Sequence, residues 1–149
     1  MPRQRIPSHF FVFVVVEHAG QVLVVREAKH GQLWYAPAGG LEAGETIRDA
    51  AIRETHEEAG VLVEPTALLR VEQNWFPSER GEGLVSWWRY VVRARPVGAL
   101  TPKSRPDKHS LEARWVRPET IAGLPLRHRE VIELVALALG DAPSVPLVA

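Results

Sequence analysis

The chain contains no cysteine. Disulfides and thiolate metal sites are therefore excluded, and any metal ligation falls to carboxylates and histidines. Net charge is also missing: 18 Lys and Arg balance 18 Asp and Glu. No global field draws the chain onto nucleic acid or an anionic bilayer, so neither a nucleic-acid polymer nor a membrane is the expected partner. Long hydrophobic runs are lacking. The apolar stretch 10–16 is far too short to cross a bilayer. It also lacks a small-residue cleavage site and is not read as a signal peptide, which leaves a cytoplasmic location as the expectation. No repeat occurs at a period of 20–50 residues. What is present is ordinary for a globular protein: 149 residues, 46% hydrophobic and 24% charged. This suits a single domain over 1–149, acting as a monomer or homodimer, with a core that needs no staples.

Periodicity places the elements. Residues 9–16 and 21–26 are rich in Phe and Val and read as a β-hairpin about the Gly-containing turn 17–20. A short extended stretch, 34–36, precedes Pro37 and a Gly-rich loop, 38–44. A helix is expected over 46–59. Thr46 is its N-cap, Asp49 supplies a capping box three residues on, and Gly60 terminates it. Strands follow at 61–63, 67–75, 84–95 and 111–116. A helical turn is expected at 118–122 and an amphipathic helix at 127–139, whose inward stripe is Val131, Leu134, Val135 and Ala138. Residues 140–149 read as a Pro-containing flexible tail. The fold class is α+β, with a mixed sheet between helices.

The chemistry concentrates between Gly39 and Val61. Glu54, Glu57 and Glu58 stand at i, i+3 and i+4 on the expected helix, on one face, with neighbouring Cβ atoms about 5–6 Å apart. Three like charges at that distance repel unless a hard cation lies among them, and Mg²⁺ or Mn²⁺ prefers carboxylate oxygens. Arg53, four residues before Glu57, is placed to orient it. Gly39, Gly40 and Gly44 let the preceding loop turn tightly and approach a ligand. Glu42 and Glu45 add acids at the helix entrance. A phosphate-binding P-loop is excluded, because its GK[ST] ending is absent. Taken alone, a glutamate-rich helix face reads equally well as a solvated surface.

The linked pattern decides between the two. Gly39, five residues, Glu45, seven residues, Arg53-Glu54, two residues, Glu57-Glu58, one residue, Gly60-Val61 resembles the Nudix box. Eight of nine defined positions match, and the departure is Thr55, where the family has a bulky aliphatic residue. Such agreement arises by chance on the order of once in a billion starts. The resemblance implies an α/β/α sandwich, a loop–helix–loop metal site and a Mg²⁺ requirement, with Mn²⁺ as the alternative. Carried over by position, it makes Gly39, Glu54, Glu57 and Glu58 the metal site. Glu54 or Glu57 becomes the residue that activates water, Arg53 the orienting partner, and Glu45 a structural residue at the cap. The implied activity is hydrolysis of a phosphoanhydride in a nucleoside di- or triphosphate.

Further stretches, 34–39, 110–115 and 124–127, resemble the 8-oxo-dGDP phosphatase group, which implies an oxidised purine nucleotide as substrate. The Ala38-Gly39 pair also occurs in ADP-ribose pyrophosphatases, so a nucleotide-sugar pyrophosphatase is the alternative enzyme. A non-catalytic ligand sensor is the alternative outside catalysis, but it would be expected to carry a damaged box. For substrate contact the candidates are Arg89 and Arg93 on one strand face, Asn74 as a base reader, and Trp75, Phe76, Trp87 or Trp88 as stacking surfaces. Glu112, Glu79 and His109 are further candidates. Each of these also has a plain reading as an exposed or core residue.

Overall fold

The computed structural model describes residues 3–147. The first strand, β1 (Ser8–His18), sets the architecture. Its alternate residues enter two different cores. Val12, Val14 and Val16 pack with Ala50, Ala51 and Ala59 of helix α1 (Ile47–Ala59). Phe13 and Val15 pack with Val131, Leu134, Val135 and Ala138 of helix α2 (Glu130–Leu139). A strand covered on both faces reads as an unbroken apolar run, which is why 10–16 shows no polar alternation. The result is three layers, helix on sheet on helix, and the α+β class expected.

A turn at Ala19 (φ 50°) and Gly20 (φ 77°) leads into β2 (Gln21–Glu27). Positive φ at both central residues suits the right-handed twist of the flanking strands. Two short strands, β3 (Trp34–Tyr35) and β4 (Ala38–Gly40), precede α1. Beyond α1 come β5 (Val63–Pro77), β6 (Leu84–Pro96) and β7 (Ser110–Val116). A mixed sheet runs β4, β1, β6, β5, with β1 and β6 parallel and the other pairs antiparallel. A second, antiparallel group joins β3 and β7 to opposite edges of β2. The β1–β2 hairpin connects the two.

Three features differ from the sequence expectation. The Gly-rich loop contributes β4, because Gly39 and Gly40 pair with Val12 and Phe11. The strands expected at 61–63 and 67–75 are one strand, β5. It passes Pro65 through irregularities in register between Pro65 and Ala67 and again between Leu68 and Arg70. Local bulging of this kind accommodates a proline that cannot donate to the ladder. Finally, the segment expected as a tail contains β8 (Val145–Pro146), which pairs with Ala67 and Leu68, and Leu147 packs against the first core. The rest of that expectation, residues 148 and 149, lies outside the described residues.

Helix α1 has the ends its sequence implies. The Thr46 side chain accepts from the Asp49 backbone N–H and the Asp49 carboxylate accepts from the Thr46 N–H, both at 3.0 Å. Gly60 closes it in the left-handed region at φ 72°. Thr55, the odd residue of the motif, is fully buried. Its hydroxyl donates to the Ala51 carbonyl one turn back at 2.8 Å, so the polar atom is satisfied inside the core.

Candidate active site

The loop before α1 and the helix itself are locked together by one guanidinium. Arg53 Nε and Nη2 donate to the Glu45 carboxylate at 2.7 and 2.8 Å, and Nη2 also reaches the Gly40 carbonyl at 2.9 Å. Its Nη1 donates to Glu54 Oε1 at 2.9 Å and Glu57 Oε2 at 3.3 Å. Arg53 therefore fixes two of the three clustered glutamates and the loop that faces them. Its hydrogen bond to Glu45 holds that carboxyl below the usual range and raises the guanidinium further, so both stay charged.

Glu58 is the most enclosed of the three, 9% exposed, and accepts from the Ala38 N–H at 2.8 Å. Burial pushes its carboxyl up to about 8. The Ala38 N–H opposes that shift, while the nearby Glu54 and Glu27 charges add to it. Burial also pushes Glu54 up, against the opposing pull of Arg53. Gly39 sits directly against Glu54, and a Cβ there would overlap the Glu54 carboxylate. A side chain at position 39 would push the Glu54 carboxylate out of its present place. The far end of α1 is held by Lys103 and Ser110, whose side chains donate to the Glu57 and Glu58 carbonyls. That contact brings His109 to 3.7 Å from Glu57 Oε2.

These carboxylates form one end of a cleft of about 600 Å³. Its acidic end is Glu54, Glu58 and Glu27 with the Gly39 backbone. Lys29, His30, Lys108, His109 and Arg127 border the same cleft. At the other end Trp87 stacks on Phe11 (centroids 4.6 Å apart, planes 19°), and Phe76 meets Trp87 edge-on at 5.3 Å. Between the ends lies an ionic bridge. Arg89 donates to both oxygens of Glu130 (2.7 and 2.8 Å) and to both of Glu72 (2.9 and 3.2 Å). The Tyr35 hydroxyl donates to Glu130 at 2.6 Å.

The residues expected from the sequence fall into three groups. Gly39, Glu54, Glu58, Asn74 and Arg89 line the cleft, as do Phe76, Trp87, Trp88 and His109. Arg53 and Glu57 adjoin it through Glu54. Trp75 and Glu112 do not meet it. Strand alternation puts Trp75 on the face opposite Asn74, where it is 50% exposed. Glu112 pairs instead with Arg114 at 2.7 Å and Arg26 at 3.4 Å. Arg89 has two carboxylates on it already, which leaves no free guanidinium edge for a phosphate. Arg93 donates to the Ala138 carbonyl near the end of α2. Sequence reasoning missed Phe11, Glu27, Tyr35, Glu72 and Glu130. Phe11 was hidden in an apolar run, and the other four carry no local signal.

A divalent cation would meet a suitable donor set here. Glu54, Glu57 and Glu58 offer hard carboxylate oxygens, two of them with burial working against their charge, and Gly39 provides a cradle no side chain fills. Among the described residues no three acids or histidines already converge in a cation-binding geometry. Glu54 and Glu57 are turned toward Arg53 instead.

The Arg89 bridge leads to a pH prediction. Hydrogen bonds from Arg89 hold the Glu130 carboxyl down at about 2. A depressed carboxyl contributes stability that is present above its ordinary range near 4.5 and is lost as pH falls through that range toward about 2. Glu130→Gln is expected to destabilise the fold by about 1–3 kcal/mol at pH 7, because Arg89 and Tyr35 lose a charged partner. The gap to the native protein should narrow between pH 5 and pH 2 in urea melts. A gap of equal size at pH 3 and pH 7 would show that the ion pair contributes nothing to it.

Comparison with known proteins bears on the family and the fold. A family model described as the NUDIX domain matches residues 6–135. The mouse protein named 8-oxo-dGDP phosphatase NUDT18 is 43% identical over 127 residues, which is 83% of this chain and 36% of that protein. This chain thus spans little more than a third of the length of that relative. Phosphatase NudJ of Escherichia coli is 36% identical over 114 residues, covering 76% of this chain and 71% of NudJ. Among solved structures, a NUDIX hydrolase from Nitrosomonas europaea superposes with a TM-score of 0.70 at 25% identity and covers 87% of each chain. Among the described residues, no helix is long and apolar enough to cross a membrane.

Proposed function

This chain belongs to the Nudix hydrolase family, and on that premise we propose that it hydrolyses the phosphoanhydride of a purine nucleoside diphosphate, with 8-oxo-dGDP as the preferred substrate. The single observation that carries the reading is the polarity of the cleft. Carboxylates fit to hold a divalent cation stand at one end and stacked aromatic rings at the other. A nucleotide has the same polarity, with phosphates at one end and a flat base at the other. The likeness to a mammalian 8-oxo-dGDP phosphatase supports the choice of base. The described residues form one packed unit, and we take that unit to carry the activity.

Glu54, Glu57, Glu58 and the Gly39 carbonyl would hold a Mg²⁺ ion, with Mn²⁺ as a substitute. When bound, the cation neutralises charge on the phosphate oxygens and makes water easier to deprotonate. The protein does the rest. Arg53 keeps the Glu54 and Glu57 carboxylates oriented. Glu54 lines the cleft and has Arg53 on Oε1 only, so Oε2 is the oxygen placed to take a proton from the attacking water. Lys29, Lys108 and Arg127 face the phosphates, and Trp87 with Phe11 offers a surface for the base. Water attacks one phosphorus, the bridging P–O bond breaks, and a nucleoside monophosphate and inorganic phosphate leave.

The test is kcat/KM for 8-oxo-dGDP, dGDP, 8-oxo-dGTP and ADP-ribose under one Mg²⁺ concentration. The expected result is a preference for 8-oxo-dGDP of about 10-fold or more over each of the others, within reach of a pocket that reads a polar group. A clear preference for ADP-ribose would make the chain a nucleotide-sugar pyrophosphatase instead.

A further inference from the structure

We propose that Glu72 selects the base, by accepting hydrogen bonds from the adjacent ring N–H and amino group of a guanine-type edge. The proposal deepens the reading above and rests on it. Glu72, Asn74 and Phe76 alternate along β5 and all line the cleft. Register places Asn74 opposite Trp87, and Glu72 opposite Arg89. Phe11, on which Trp87 stacks, pairs with Arg89 from the other side. Position 72 therefore stands one same-face step along the strand from the position opposite Trp87, about 7 Å by strand geometry. That distance suits the edge of a base whose face lies on the aromatic rings.

The chemistry of the edge follows from how Glu72 is held. An ionised carboxylate has about four lone-pair sites. Arg89 Nε and Nη2 take one on each oxygen, and the side chain, 29% exposed, has no other partner among the described residues. Each oxygen keeps a lone pair for a ligand. Arg89 is itself immobilised by Glu130 and by contact with Tyr35, so the carboxylate is positioned before any ligand arrives. One guanidinium between two carboxylates leaves a net negative centre. Such a centre repels phosphate and attracts N–H donors.

Guanine presents a ring N–H beside an amino group, two donors for Glu72, and a carbonyl oxygen that the Asn74 amide can donate to. Adenine presents a bare ring nitrogen at the same place, lone pair against lone pair. Oxidation at C8 leaves the guanine edge intact, so Glu72 discriminates between purines and does not sense the oxidation itself.

The experiment compares guanine with adenine in two readouts, on the native chain and on Glu72→Gln, which keeps shape and removes charge. For hydrolysis, the native ratio of kcat/KM for dGDP over dADP is expected to be about 10²-fold, falling to within about 5-fold in the variant through loss of the guanine substrate. For binding, calorimetric titration with dGMP and dAMP without added metal should show dGMP weakened about 10-fold and dAMP changed less than about 3-fold. An unchanged guanine-to-adenine ratio in a folded variant would overturn the proposal, and so would a native protein with no guanine preference in binding. Failure of the native chain to hydrolyse any nucleoside diphosphate would overturn the proposed reaction, while the dGMP titration would still decide Glu72. If Glu72→Gln melts too low to assay, Glu72→Asp retracts the charge by one methylene and is judged by the same ratios.

Discussion

Replacing Glu58 with Gln, or Glu57 with Gln, is expected to lower kcat/KM by at least about 10²-fold, equivalent to about 2.7 kcal/mol of barrier. Both changes keep the side-chain shape and remove one charged ligand from the set that would hold the cation. In Glu58→Gln the amide oxygen can still accept from the Ala38 N–H, so the link between β4 and α1 survives. In metal-free buffer the variant should melt no lower than the native chain, because Gln is free of the penalty that burial, with the nearby Glu54 and Glu27 charges, places on an ionised Glu58. Glu57→Gln removes one of four carboxylates within 4.0 Å of Arg53, and Glu45 and Glu54 keep the guanidinium in place. Steady-state kinetics beside thermal melts of each variant separate lost chemistry from lost fold. Near-native turnover in both would mean that these glutamates hold no catalytic cation and that the site lies elsewhere.

Excess chelator is expected to abolish hydrolysis, and Mg²⁺ or Mn²⁺ to restore it. The reason is electrostatic. The proposed substrate, a nucleoside diphosphate, would bring its negative charge to an end of the cleft already lined by Glu54, Glu58 and Glu27. The lysines and Arg127 there are exposed, and their attraction is weakened by solvent. A divalent ion among the carboxylates would be the counter-charge that lets both sets of oxygens approach. Binding should also appear without turnover, as a rise in melting temperature that grows with the logarithm of ion concentration above Kd. That rise should be lost in Glu58→Gln. Full turnover in excess chelator would sink the assignment.

The helix of the site was legible because its determinants are local. Glu54, Glu57 and Glu58 share a face by helical spacing alone. Thr46, Asp49 and Gly60 mark the ends, and the structure has them capping as their chemistry dictates. Arg53 was readable as a partner of Glu57 at i and i+4, but its stronger bonds to Glu45 and the Gly40 carbonyl required the loop to fold back over the helix. The strand face was legible only by halves. Period-two alternation says that Asn74 and Trp75 point opposite ways, and it does not say which one meets the cleft. Arg89 looked free because Glu72 and Glu130, its two carboxylates, lie 17 and 41 residues away.

By itself, then, the sequence determined the helix, its caps, the clustered acids and the apolar strand at the centre, because each depends on contacts within a turn or a strand. Only the tertiary structure decided the other half of the cleft. Phe11 meets Trp87 because β1 and β6 run parallel, and Glu27 stands beside Glu58 because β2 returns past the end of α1. Arg89 is closed off because α2 docks over the sheet. Those neighbours are set by strand order and packing between distant segments, which local spacing does not encode.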